Sequence, residues 1–429
     1  MPTELDRRFD EKLAALTGPG GRLVIGEDEQ GRTIVTNFPA TLPALFRTFC
    51  ELNADKEGVV AGDERLTFAD LDRISERLAR GLVARGLGKG DRIGIAMRNC
   101  PAWVVVYMIG VLLINLGTPD EPSARAVRRY LAEFLSDPRV VEIPAVAWKP
   151  ILHGIILRTR PRKSAEAYKQ IWTNEGSPLR AIAQRQAEAL RERLGNRVRV
   201  DYAMRYGNPG IASAIQEMMS EGCTRILTAP LYPQYCAATT ATANDAVFVA
   251  LARMRRQPAL RMLPPYYSDP IYIDALSANL ERQLKALDFT PERLLLSFHG
   301  MPERTRLLGD PYYDQCHETA RLLSQALDRD VDVAFQSRFG RAKWFPPPTD
   351  TTLAAYPSDG VKRVAIAAPG FAADCVETLE ELGIRGRDAF IAGGGEKFAL
   401  LECLNDSSEG IDMLERLIER ELAGWLPRA

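Results

Sequence analysis

The run Ser297-Phe298-His299-Gly300-Met301-Pro302 follows Leu294, Leu295 and Leu296 and delivers one of only three histidines in the 429-residue chain. A histidine at the end of a buried strand stands where open α/β sheets place their reactive groups. Its imidazole titrates near neutral pH, so it can take a proton or bind a metal ion. The competing assignment is a core histidine with both ring nitrogens satisfied. A second group, Asp374, Glu377 and Glu381, follows the apolar stretch 364–368. The spacing i, i+3, i+7 would line three carboxylates along one face of an α-helix. Such a row can hold or pass a divalent cation and accept protons. The same spacing also fits a capping box, with Asp374 capping and Glu377 reaching back to it.

Three further strand ends carry polar or aromatic groups. Tyr232 and Tyr235, with Thr239 and Thr240, suit a pocket for a flat aromatic ligand, or equally turn and N-cap chemistry. Arg205 and Tyr206 close another strand, where Arg205 suits either a substrate carboxylate or an internal salt bridge. Phe335-Gln336-Ser337-Arg338-Phe339-Gly340, followed by Lys343 and Trp344, closes the last. No GxxxxGK[ST] loop occurs, and no GxGxxG follows a strand. Gly393-Gly394-Gly395 reads as a turn.

The elements that must hold these groups alternate regularly. Apolar strands are predicted at 111–117, 198–204, 225–229, 294–298, 331–335 and 364–368, of the kind buried in parallel sheets. Helical segments such as 181–194, 274–287 and 318–327 lie between them. Over some 300 residues this alternation predicts doubly wound parallel sheets. The stretches 112–119 and 295–302 both run from an apolar strand into Gly-X-Pro. Two similar α/β halves facing a cleft account for the echo, as does a chance likeness of two strand–turn junctions. Residues 1–38 are polar and glycine-punctuated and read as a loosely ordered leader. From 41 to 107 the signals are those of a compact α/β piece. It has a helix over 66–82 capped by Thr67 and closed by Gly86 and Gly88, then a strand over 92–97.

With 46% hydrophobic and 26% charged residues, the composition is that of an ordinary soluble globular protein. The formal net charge of −1 gives no electrostatic reason to expect nucleic acid. Seven scattered cysteines, an odd number without CxxC spacing, point to a reducing compartment. The N-terminal residues show no secretory signal, and the longest apolar stretch, 102–116, is too short for a membrane span and is broken by Gly110. The expected location is cytoplasmic.

In this order the motifs resemble the ferrochelatase family over about residues 110–425. The resemblance is carried by Asn115-Leu116-Gly117-Thr118-Pro119, the stretch 130–138, Ile171-Trp172 with 176–179, Arg205-Tyr206-Gly207-Asn208-Pro209 and 231–235. Further along it is carried by Ser297-Phe298-His299-Gly300, Gln336-Ser337-Arg338, 374–381 and Cys403-Leu404-Asn405-Asp406. It implies an α/β fold of two Rossmann-like, chelatase-type halves, 110–285 and 286–429, with parallel sheets around a porphyrin cleft. It also implies insertion of Fe²⁺ into protoporphyrin IX with release of two protons, the last step of haem synthesis. By resemblance His299 and Glu377 are the catalytic and metal-contacting residues. Asp374 and Glu381 are supporting acids of a widened helical turn, and Leu116, Arg205, Tyr206 and Tyr235 are substrate-binding. Cys375 sits where some relatives have histidine. A chelatase for coproporphyrin or cobalt, or a silent porphyrin-binding protein, is the alternative.

The resemblance implies no tightly bound cofactor and no iron–sulfur cluster, with Fe²⁺ as substrate. It makes the segment 140–157 an apolar lip over the cleft, edged by Arg158, Arg160, Arg162 and Lys163. That lip suits a propionate-bearing porphyrin or peripheral contact with the inner face of a membrane; a buried helix followed by a solvated charge run is the competing assignment. Transient contact with the preceding enzyme of the pathway is a further expectation. Residues 39–109 form a small N-terminal α/β fragment resembling a truncated acyl-CoA synthetase of the adenylate-forming superfamily. The carrying residues are 41–46, 66–71, 88–92 and 97–103. The ATP loop of that superfamily is absent, so the fragment is expected to be non-catalytic.

Overall fold

The computed structural model describes residues 25–27, 33–35, 46–47, 50–61, 64–83, 109–195, 198–340 and 342–426. The chain forms two compact units, Met1–Val106 and Tyr107–Ala429. In the first, β1 (Ile25–Glu27) pairs antiparallel with β2 (Thr33–Val35), within the expected leader, and β3 (Glu57–Ala61) pairs with β4 (Glu64–Thr67). The helix Phe68–Val83 opens on a reciprocal cap. Thr67 Oγ1 accepts from the Asp70 N–H at 3.1 Å, and Asp70 Oδ2 accepts from the Thr67 N–H at 3.2 Å. Leu66, predicted to be helical, lies in β4. Gly86, Gly88 and the strand expected over 92–97 fall outside the described residues.

The second unit is built on two parallel four-stranded sheets. The first joins β5 (Ile109–Gly117), β6 (Val198–Tyr206), β7 (Arg225–Pro230) and β8 (Ala259–Met262) in the order β6-β5-β7-β8. The second joins β9 (Arg293–His299), β10 (Asp332–Gln336), β11 (Arg363–Ala367) and β12 (Lys397–Leu400) in the order β10-β9-β11-β12. Counted from its own first strand, each half reads 2-1-3-4. The chain leaves each leading strand to one side and returns on the other, so β5/β7 and β9/β11 are the switch points where such sheets open a crevice.

The Gly-X-Pro echo has one physical cause in both halves. A Cβ on Gly117, whose φ is +125°, would lie 1.9 Å from the carbonyl oxygen of Tyr206 at the end of β6. A Cβ on Gly300 would lie 2.6 Å from the carbonyl oxygen of Gln336 at the end of β10. In each half the leading strand must pass against the last residue of its neighbour, which only glycine permits.

Val111, Leu113, Leu227, Leu294, Leu296, Phe298, Ile411 and Leu414 belong to one continuous core that runs through both halves. Each such side chain contributes about 1.5–3 kcal/mol on burial. The helix Ser408–Glu421 follows the second sheet but packs on Pro178–Leu194 and Pro270–Ala286 of the first half, which ties the two together. β8 and β12 were not predicted. They are four-residue edge strands, largely part-exposed, so no continuous apolar run marks them. Among the described residues no helix is long and apolar enough to cross a membrane.

Candidate functional site

His299 is the last residue of β9 and is half-buried. Its Nδ1 lies 2.8 Å from the Gly300 carbonyl oxygen, so Nδ1 carries the hydrogen and donates it. In the neutral ring this leaves the Nε2 lone pair free to accept a proton or contact a metal. The satisfied core histidine is therefore not what the strand end builds.

Glu377 opens a helix with i→i+5 bonding, Glu377–Gly386, after the loop that follows β11. Wide helices of this kind are rare and concentrate at functional sites. Glu377 and Glu381, four apart, come nearly into line on the wider turn. Asp374 precedes the helix, so the expected single face of three acids is not formed. The capping box is not formed either. The Asp374 N–H donates to Asn405 Oδ1 at 2.8 Å. The buried Asp374 carboxylate accepts from Thr378 Oγ1 (2.8 Å), Asn405 Nδ2 (2.7 Å) and the Cys403 N–H (3.3 Å). It anchors the start of the wide helix to the loop after β12.

Glu381 accepts from Ser337 twice, from its N–H at 2.9 Å and its Oγ at 2.6 Å, and lies 3.7 Å from Arg385. Ser337 holds φ at +66°, a strained conformation for a serine that aims both donors at one carboxylate. Glu380 is buried and paired with Arg385 at 3.0 Å. No described arginine or lysine pairs with Glu377, whose carboxylate has the Cys375 thiol as a hydrogen-bond partner. Burial, and then the Glu377 charge, push that thiol well above its ordinary range, so Cys375 stays protonated and can donate to the carboxylate.

The opposite wall comes from the first half. Val376 and Leu379, flanking Glu377, pack against Ala165, Tyr168 and Ile171. Tyr168 and Tyr130 are buried phenols pushed well above their usual range, by desolvation first and also by the negative charge of Glu377. Tyr130 donates to the Gly117 carbonyl oxygen at 3.2 Å, at the end of β5. Tyr232, beyond β7, has a buried hydroxyl without a partner among the described residues. The Trp344 ring lies 3.3 Å from the position of a Cβ on Gly300, the residue after His299. His299 ends β9 and Glu377 follows β11, on the two strands of the second switch point, and Glu377 lies close enough to Tyr130 and Tyr168 of the first half to raise their pKa values.

A family model described as Ferrochelatase matches residues 108–422, and one described as AMP-binding enzyme matches 46–116. The chain belongs to the ferrochelatase family. It is 49% identical over 341 residues to the ferrochelatase of Mesorhizobium japonicum, covering 78% of this chain and 96% of the relative. It is 52% identical over 325 residues to that of Rhizobium meliloti, covering 74% and 96%. A structure of SirB from Bacillus subtilis with Fe³⁺ superposes with a TM-score of 0.45 at 11% identity, over 74% of this chain and 97% of that one. The ferrochelatase family identity makes the protein a metal chelatase and accounts for the paired halves, while the AMP-binding match agrees with the resemblance read in the front end.

The remaining expected site residues divide. Leu116 is part-exposed at the end of β5, beside the tyrosines. Arg205 and Tyr206 are engaged internally. Arg205 pairs with the buried Asp137 at 2.5 Å and donates to Thr242, and Tyr206 donates to Asp137 at 2.8 Å. Of the two assignments open for Arg205, the internal salt bridge is the one formed. Tyr235 stands near Arg139, Asp245 and Asp310, with its N–H donating to Gln315 at 2.7 Å, and is not brought to the carboxylates. Tyr130 and Gln336 entered the sequence analysis only as members of the stretches 130–138 and 335–340, with no role assigned, and Tyr168 did not enter it.

Proposed function

We infer that this protein inserts ferrous iron into protoporphyrin IX with release of two protons, the lyase reaction of a ferrochelatase. The observation that carries the reading is the pairing, in a chain of this family, of a histidine with a free Nε2 and a carboxylate without a basic partner. Two pyrrole N–H protons must leave before the planar ring can hold Fe²⁺, so a base near the macrocycle is required. His299 Nε2 and the Glu377 carboxylate are the groups available. Both can also replace water on the arriving iron, a nitrogen and an oxygen ligand that hold it without closing its coordination sphere. Asp374, through Thr378 and Asn405, and Glu381, through Ser337, fix the helix that presents Glu377. The tyrosine wall supplies an apolar face for the flat ring.

The rim of the cleft fits an apolar cargo. Val146 is 91% exposed and Leu307 85%, with Ile151, Ile155 and Leu308 also open to solvent. Arg304 pairs with Glu142 at 3.3 Å and links the two apolar rims. The competing assignment for 140–157, a buried helix, fits its Trp148, Leu152 and Leu157 row, which packs with Val141 ahead of the helix. Arg158, Arg160, Arg162 and Lys163 are all exposed. Such a surface suits a propionate-bearing ring and peripheral contact with an anionic membrane face from the cytoplasm, where the preceding pathway enzyme would hand over its product. The reading includes no resident cofactor and no iron–sulfur cluster.

Continuous absorbance of the purified protein with protoporphyrin IX and anaerobic Fe²⁺, with Zn²⁺ in parallel, tests the assignment. Metalloporphyrin should accumulate and fail to do so with His299→Ala. Porphyrin binding without conversion in the unaltered protein would refute it.

A further inference from the structure

We propose that Gln336 is a positioning residue that sets the register between His299 and Glu377. The proposal rests on the chelatase reading and deepens it. β10 flanks β9 on the side away from β11, yet Glu377 arrives from beyond β11. The Gln336 side chain reaches across β9 and donates from Nε2 to the Glu377 carbonyl oxygen at 2.8 Å. Its Oε1 accepts from Ser297 Oγ at 2.8 Å, which commits the serine proton, so Thr349 Oγ1 donates to Ser297 in turn at 2.8 Å. Ser297, Gln336 and Thr349 are all buried.

The backbone of the same residue controls the histidine. The Gln336 carbonyl oxygen accepts from the Gly300 N–H at 2.8 Å, and the Gly300 carbonyl fixes which ring nitrogen of His299 bears the hydrogen. The next residue, Ser337, takes Glu381. One dipeptide at the end of β10 therefore touches the loop of the histidine and the helix of the acids. The chain Thr349–Ser297–Gln336–Glu377 needs a group with both an acceptor and a donor in its middle. A carboxylate lacks the donor and would confront the Glu377 carbonyl. A methionine of similar length lacks both hydrogen bonds.

Gln336→Met should lower kcat about 10- to 100-fold, the scale of a misplacement of about 1 Å, with the porphyrin KM little changed. A residue acting through Glu377 should also be non-additive with it. In a Glu377→Gln background the same Gln336→Met change should then cost less than about threefold. Ser297→Ala, which frees Oε1 but keeps the amide, should show a smaller kcat loss of the same pattern and answers the question if Gln336→Met does not fold. Equal losses in both backgrounds, or a change confined to KM, overturn the positioning role while leaving the chelatase reading intact. No turnover by the unaltered protein overturns both.

Discussion

The two halves of the chelatase unit repeat one strand order but furnish their switch points differently. At β9/β11 the strand ends lead to a histidine with a free ring nitrogen, held by the Gly300 carbonyl, and an acid without a basic partner, backed by the donors of Cys375 and Gln336. At β5/β7 stand phenols and an apolar leucine, and the end of the neighbouring β6 carries an ion pair already closed on itself. The repeat supplies a crevice with two faces. In the function proposed above, one face does the chemistry and the other holds the ring.

The sharpest way to break that contrast is His299→Ala. Metal insertion should fall by about 10²–10⁴, the range of a lost general base, with porphyrin binding by absorbance retained. Glu377→Gln keeps the shape and should cost less, about 10²-fold in kcat, read in the same assay. The contrast fails if either change mainly weakens porphyrin binding.

On the first half the expectation reverses. Arg205→Ala strands the buried Asp137 carboxylate and should destabilise the fold by up to about 3 kcal/mol, seen as a lower Tm, with little effect on kcat. An unchanged Tm with a raised porphyrin KM would show that Arg205 binds a substrate carboxylate after all. Asp137 itself sharpens the point through pH. Burial opposes its charge, but hydrogen bonds from Thr242, the Arg139 N–H and Tyr206, together with the Arg205 charge, hold its pKa below the usual carboxylate value. Its stabilising contribution is thus complete above about pH 4 and is lost as pH falls from there through the depressed value. Asp137→Asn should flatten that part of the acid-denaturation curve. The smallest effect is expected from removing residues 1–106, which should leave kcat within about twofold, since the β5 strand that follows is paired on both sides by β6 and β7.

Much of this was legible in the sequence because long buried strands and strand-end residues leave strong marks. The six apolar runs became β5, β6, β7, β9, β10 and β11, and His299 stood where its run ended. The acid row was harder to read. A one-dimensional i, i+3, i+7 pattern presumes 3.6 residues per turn, and the i→i+5 bonding of Glu377–Gly386 changes which acids share a face. Arg205 was ambiguous because its partner, Asp137, lies 68 residues away in the chain. Tyr130 was marked only as part of the stretch 130–138 and Tyr168 gave no local signal, since each is an aromatic on a helix until the fold brings Glu377 near.

The strand Ile109–Gly117 has one more consequence. The AMP-binding match runs to residue 116 and the ferrochelatase match begins at 108, so both claim the same buried strand. A hydrophobic parallel strand is close to interchangeable currency among α/β proteins, because burial asks of it only bulk and β-branching. A recombination joint falling inside such a strand leaves no scar in the sheet that keeps it. Whatever precedes it, the strand has both of its partners within the chelatase sheet, β6 on one side and β7 on the other.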